Sequence, residues 1–253
     1  MRRIAVLAAT ALAGCSFTPN DLGDSTAPGH GGPTGTAPDA GGSGAPTGVA
    51  SCPDDYTMAL CLDFEDAALS PTVKDGSLRG HDATSTNVHP MPRASEQAAA
   101  VAQATGSQIY IGPSIDLSSF GSLTQEAWVR PDSTGTGAWA INHQPQYGLA
   151  FDGESALCQI GDKTASVAFH TAPGTWTHVA CIYDTEQIKL FINGSVAACS
   201  DKPDSIDSRT FSTYIGPQLT GGIDDVRIYQ DHLDPQEICD HAGAMNCTAS
   251  CSG

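Results

Sequence analysis

The chain has 253 residues, 40% of them hydrophobic and 15% charged, and 11 Lys and Arg against 28 Asp and Glu give it a formal net charge of -17. So acidic a surface repels phosphate and offers no basic stripe, which excludes nucleic acid as a partner. The 27 Gly and 16 Pro interrupt helices and populate turns, so a β-rich fold is expected.

Arg2 and Arg3 precede a short apolar run, Ile4 to Ala13, closed by Leu12-Ala13-Gly14-Cys15. The run is too short to cross a membrane as a helix and ends in small residues, so residues 1-15 read as an export signal. The Leu-Ala-Gly-Cys ending resembles the lipobox of bacterial lipoproteins. That resemblance implies cleavage before Cys15, lipidation of Cys15 and anchoring in the bacterial cell envelope; an ordinary secretory signal is the alternative. Ser16 stands where an Asp would imply retention at the inner membrane, so the outer membrane is preferred. In residues 16-50, Gly, Pro, Ser, Thr and Ala make up 27 of 35 positions, too few apolar groups to offset the entropy of ordering. This is a tether, with an end-to-end distance of roughly 33 Å.

Residues 51-253 carry no second linker and suit one large β-sandwich. Strand patterns bounded by Gly, Pro, Asp and Asn run over 57-65, 108-112, 123-130, 176-184 and 188-193. Asp184 to Gln187 and Asn193-Gly194 read as hairpin turns. The strand around Val179 to Tyr183 is apolar at nearly every position, so both its faces should be covered. Asp234-Pro235-Gln236-Glu237 combines an N-cap, a proline at the first helical position and a capping-box Glu, and starts one short C-terminal helix.

Five segments occur in order: Leu62-Asp63-Phe64-Glu65, Glu126 to Pro131, Trp176 to Ala180, Ile188 to Gly194, and Gly222 to Tyr229. Together they resemble the laminin G-like group of the concanavalin A-like lectin/glucanase superfamily over residues 57 to about 238. The resemblance implies an all-β jelly-roll sandwich of two antiparallel sheets, with first and last strands adjacent. It also implies a structural calcium ion held by Asp63 or Glu65, by Asp75 with the Gly80-His81 region, and by Asp224 or Asp225. Alternation along a strand lets only one of the last pair ligate by side chain, and Asp224 is preferred. Leu78 and Arg79 depart from the small and amide residues expected in the loop.

No catalytic constellation is visible, so the domain is read as a non-enzyme. Retaining glycoside hydrolysis needs two carboxylates only ~5 to 5.5 Å apart, and none of the six Glu (65, 96, 126, 154, 186, 237) pair along one strand. No Gly-x-Ser-x-Gly elbow occurs, and His178 reads as a packed residue. Setting Cys15 aside leaves Cys52, Cys61, Cys158, Cys181, Cys199, Cys239, Cys247 and Cys251, an even set that in an exported chain reads as four disulfides. A zinc site at Cys239, His241, Cys247 and Cys251 is the rival reading. The hairpin registers put Cys181 opposite Leu190, Leu190 opposite Ala197 and Cys199 opposite Ile188, so Cys181 and Cys199 lie beyond disulfide reach and Cys158 becomes the preferred partner of Cys181. Cys52 with Cys61 and Cys239 with Cys247 are taken as short-loop pairs, which leaves Cys199 and Cys251.

Sugar sites combine an aromatic platform with polar edges. Trp128 and Trp176 match core positions of the family, whereas Trp139, with His143, Gln144, Gln146 and Tyr147 nearby, is the candidate ligand site. The expected function is a non-catalytic surface module that binds a glycan or an extracellular protein, touching membrane only through its anchor. A structural or adhesion protein without a sugar site and a divergent glycoside hydrolase are the alternatives. Loss of Arg2 and Arg3 with the signal takes the charge to -19, which disfavours acidic polymers as ligands.

Overall fold

The computed structural model describes residues 52–102, 105–118 and 120–251. The export signal, Cys15 and the tether of residues 16-50 lie outside the described residues. Among the described residues, sixteen strands and one helix follow in chain order: β1 Met58–Leu62, β2 Thr72–Val73, β3 Ala83–Thr86, β4 His89–Arg93, β5 Glu96–Ala102, β6 Gln108–Ile111, β7 Leu123–Pro131, β8 Trp139–His143, β9 Tyr147–Phe151, β10 Ser155–Ile160, β11 Lys163–Ala168, β12 Thr177–Tyr183, β13 Gln187–Ile192, β14 Ser195–Asp201, β15 Thr213–Ile215, β16 Thr220–Tyr229 and α1 Pro235–His241. They build the jelly-roll sandwich of two eight-stranded antiparallel sheets. Sheet A runs β14-β13-β12-β7-β16-β5-β4, with β1 also on β16, and sheet B runs β11-β10-β9-β8-β15-β6-β3-β2. The first and last strands pair, with Cys61 opposite Arg227, as the family resemblance implies.

Alternation explains sheet B. In β10, Ala156, Cys158 and Ile160 are buried while Ser155, Leu157 and Gln159 face outward, as in an antiparallel sheet solvated on one side. Sheet A differs because its outer face is also covered. All seven residues of β12 are buried: Val179 and Cys181 enter the core between the sheets, and Ala180 and Ile182 pack with Phe191 against Ile238 of α1. The intersheet core includes Leu60, Leu62, Phe64, Ile109, Ile141, Phe151 and Ile223, and each such side chain contributes about 1.5 to 3 kcal/mol by leaving water. The Asn193-Gly194 turn has positive φ at both residues, 48° and 81°, as a two-residue hairpin turn requires. The capping box of α1 forms as read, with Asp234 and Glu237 bonded reciprocally to backbone N–H groups.

The four disulfides join Cys52 to Cys61, Cys158 to Cys181, Cys199 to Cys251 and Cys239 to Cys247. They consume the cysteines of the rival zinc set. Cys158 and Cys181, with Cα atoms 5.6 Å apart, tie sheet B to sheet A. Cys199–Cys251 fastens the C-terminal tail beside β14, an edge strand, where the Val196 N–H also donates to the Thr248 carbonyl at 2.8 Å. Such cover removes unpaired backbone groups from the edge. One register differs from expectation: Leu190 pairs with Ala198 and Cys199 with Lys189, because Ala197 is the extra residue of a bulge between Phe191–Val196 and Leu190–Ala198.

Candidate functional site

Six pairings carry one row of outward residues across sheet B. Thr84 pairs with Tyr110, Tyr110 with Tyr214, Tyr214 with Asn142, Asn142 with Gly148, Gly148 with Gln159 and Gln159 with Thr164. At ~4.8 Å per strand the row is about 29 Å long. Tyr110 and Tyr214 form a tilted aromatic pair with centroids 5.3 Å apart, and Tyr214 keeps 37% of its surface exposed. Ser212 Oγ donates to the Tyr110 hydroxyl at 3.2 Å, and Gln144 Nε2 donates to Gln159 Oε1 at 2.8 Å. Trp139 is half-buried on the same outer face. Its ring lies over Gly148, where an added Cβ would come within 2.5 Å of the indole, so only glycine leaves the ring its place.

The charge distribution is as telling as the shape. The chain has 28 acids, yet the eight strands of sheet B contain no Asp or Glu. Their one Lys or Arg is Lys163, whose Nζ is paired with Asp204 at 2.8 Å. The face is therefore uncharged, aromatic, and rich in hydroxyls and amides.

The sequence-derived ligand group divides between two surfaces. Trp139 and Gln144 lie on the outer face or its rim. His143, Gln146 and Tyr147 are fully buried and do not face a ligand, which corrects the expectation for His143 and Tyr147. Ala140 is the extra residue of a bulge, with Trp139 opposite Ala150 and Ile141 opposite Leu149, so Trp139 points out while His143 points in. Inside, His143 bonds Thr213 Oγ1 at 2.7 Å and Gln146 Oε1 at 2.9 Å, and the Tyr147 hydroxyl donates to the Leu117 carbonyl at 2.9 Å. Burial lowers His143 to about 4, partly offset by its bond with Gln146, so the imidazole is neutral at pH 7. Tyr110, Tyr214, Asn142 and Gln159 were absent from that group. For Tyr110, the Gln-Ile-Tyr-Ile alternation of 108 to 111 was the available signal.

Sheet A carries a buried polar network on its outer face. Glu126 sits at its centre, with Oε1 2.8 Å from His241 Nδ1 and 3.4 Å from Arg227 Nη1, and Oε2 3.3 Å from His178 Nε2. Burial would raise this carboxyl, but the bonds to His178 and His241 and the charges of His241 and Arg227 outweigh it and hold the group well below the usual range. Trp128 and Trp176, expected at core positions, are instead half-buried beside this network and outside the hydrophobic core, with Arg93 5.1 Å from the ring of Trp128 and 5.9 Å from that of Trp176.

Among the described residues, the carboxylates expected to hold calcium do not form one group: Asp224 and Asp225 come together on Arg93, against the alternation expected of them, whereas Asp63, Glu65 and Asp75 lie outside that group. Asp75 accepts the N–H groups of Cys61, Ser77 and His81 and the Ser77 hydroxyl, so it organises its own loop. Glu65 accepts the Gln97 N–H at 2.9 Å, and Asp63 accepts that of Glu65 at 3.4 Å. Among the described residues, the group of close carboxylates is Glu96, Asp224 and Asp225, and all three bind Arg93. Burial and the neighbouring Asp225 raise Asp224 to about 7 against the opposing pull of Arg93.

Two packed antiparallel sheets in jelly-roll order define a lectin-like fold. The laminin G-type family model described as the concanavalin A-like lectin/glucanases superfamily matches residues 103–239, and the chain belongs to that superfamily. Among solved structures, domain 4 of AbnA, a GH43 extracellular arabinanase from Geobacillus stearothermophilus in complex with arabinotriose, is similar at 21% identity and TM-score 0.60, over 74% of this chain and 98% of that one. The binding domain of botulinum neurotoxin DC in complex with SialylT is similar at 14% identity and TM-score 0.54, over 72% of this chain and 50% of that one. The same toxin domain in complex with rat synaptotagmin II gives 12% identity and TM-score 0.54, over 72% and 50%. At these identities the likeness is one of fold. No curated protein matches the chain significantly.

Proposed function

We propose that the domain is a non-catalytic module that binds a neutral glycan along the outer face of sheet B, presented on the tether of residues 16-50 from a lipid anchor at Cys15 in a bacterial envelope. One observation carries this reading: an acid-rich chain keeps every strand of one sheet free of carboxylates while lining its outward row with tyrosines, hydroxyls and amides. A sugar offers apolar C–H faces for stacking and hydroxyl edges for hydrogen bonds, and a neutral one feels little of the protein's field. The same lack of Asp and Glu leaves that face without the two carboxylates that most glycosidases use, which favours binding over hydrolysis. The arabinotriose complex of the similar arabinanase domain supports a sugar ligand for this architecture. The synaptotagmin II complex of the toxin domain supports an extracellular protein as the second reading.

Immobilised full-length protein probed with neutral and uronic-acid oligosaccharides tests the assignment. Binding confined to neutral sugars is expected; a preference for the acidic set, or capture of a protein partner with no sugar bound, contradicts it. Membrane fractionation tests the anchor, with Cys15→Ser expected to leave the membrane fraction.

A further inference from the structure

We propose that Arg93 is the built-in cation of the sheet A carboxylate cluster, so that this chain needs no calcium ion where its superfamily resemblance implies one. Glu96, Asp224 and Asp225 each bring an oxygen within 4.8 Å of the others. Three carboxylates that close repel one another and need a positive charge between them. A single guanidinium supplies it: Arg93 Nη2 lies 2.9 Å from Glu96 Oε2 and 2.5 Å from Asp225 Oδ2, and Nε binds Asp224 Oδ2.

The guanidinium is held as a fixed part of the fold. Its side chain is 11% exposed, it lies against both Trp128 and Trp176, and it joins β4 to β16 across the hairpin with β5. A planar guanidinium suits this place, since it binds carboxylates in a fork while stacking on aromatic faces. The remaining oxygens of the two aspartates are also taken: Asp224 Oδ1 accepts the Asp225 N–H at 2.9 Å, and Asp225 Oδ1 accepts Arg227 Nη2 at 2.9 Å. Calcium requires six to eight oxygen ligands. Asp75, the expected loop ligand, is committed to four protein donors. The last-strand aspartates and the loop aspartate of the implied site are thus satisfied by protein hydrogens, and Glu65 accepts the Gln97 N–H.

The test uses the full chain purified without chelator. Elemental analysis is expected to find no stoichiometric calcium, and melting curves are expected to coincide in EDTA and in excess calcium. Arg93→Gln is expected to lower the melting temperature by several degrees. One calcium per chain, a melting temperature that falls in EDTA, or an Arg93→Gln protein as stable as wild type overturns the proposal. If that variant fails to fold, the two wild-type measurements decide.

Discussion

The imidazole of His143 lies flat on the phenol ring of Tyr147, with centroids 4.4 Å apart and planes 12° apart. Both are fully buried, and the histidine falls from 6.5 to about 4 on folding because burial disfavours its charged form. The unfolded chain therefore takes up this proton first as pH drops. Stability from the neutral imidazole is present above pH 6.5 and is lost progressively toward pH 4. At about 1.4 kcal/mol per pH unit the loss is on the order of 3 kcal/mol. Urea midpoints should fall across that window in wild type and stay flatter in His143→Gln; equal slopes would assign the dependence to other groups.

Glu126 carries the opposite kind of titration. Its folded carboxyl is held below the unfolded value of 4.5, so its contribution is present above that pH and is lost as pH falls below it. Glu126→Ala would leave the buried Arg227 and His178 and the half-buried His241 without their shared acceptor. Removing one partner of a buried pair costs about 3 to 5 kcal/mol, a fall of roughly 10 °C in Tm for a domain this size. A fall of under ~2 °C in calorimetry would show that the network contributes little.

Much of the fold was legible because its signals are local. The Asn193-Gly194 turn, the Asp234 capping box and the apolar β12 each state their conformation within a few residues. Strands such as β3, Ala-Thr-Ser-Thr, and β4, His-Pro-Met-Pro-Arg, were not legible: the first is short and polar, and the two prolines of the second argue against a strand unless it lies at an edge. The candidate site suffered from parity. Four-residue spacing puts Trp139 and His143 on one face of a regular strand, and the bulge at Ala140 separates them. Arg93 was invisible for another reason. Its two aspartate partners lie 131 and 132 positions away, and nothing local marks such a contact.

The disulfide framework gives a third expectation. Protein folded oxidatively should show no free thiol among Cys52 to Cys251 on denaturing alkylation. Replacing both Cys158 and Cys181 with Ala should cost about 2 to 5 kcal/mol, since that bridge joins the two sheets. Eight labelled thiols in the oxidatively folded protein would contradict the framework.

Gly148→Ala tests how the platform is built. Its Cβ would meet the Trp139 indole at 2.5 Å, so the ring must shift, at a cost of about 1 to 3 kcal/mol. A lower Tm with altered indole fluorescence is expected, and the fluorescence change should vanish in a Trp139→Phe background. Unchanged fluorescence would mean that Trp139 does not lie over Gly148.

The neutral face of sheet B is tested most directly by titration calorimetry with the tightest neutral oligosaccharide, comparing wild type with Tyr214→Ala. Tyr214 is partly exposed on the outward row, so its removal should leave Tm unchanged while weakening binding by more than about 1 kcal/mol, roughly fivefold in Kd. Tyr56, 81% exposed and outside every strand of either sheet, serves as the control, and Tyr56→Ala should bind like wild type. An unchanged Kd for Tyr214→Ala, or an equal loss for both variants, would contradict the assignment of the glycan site to this face.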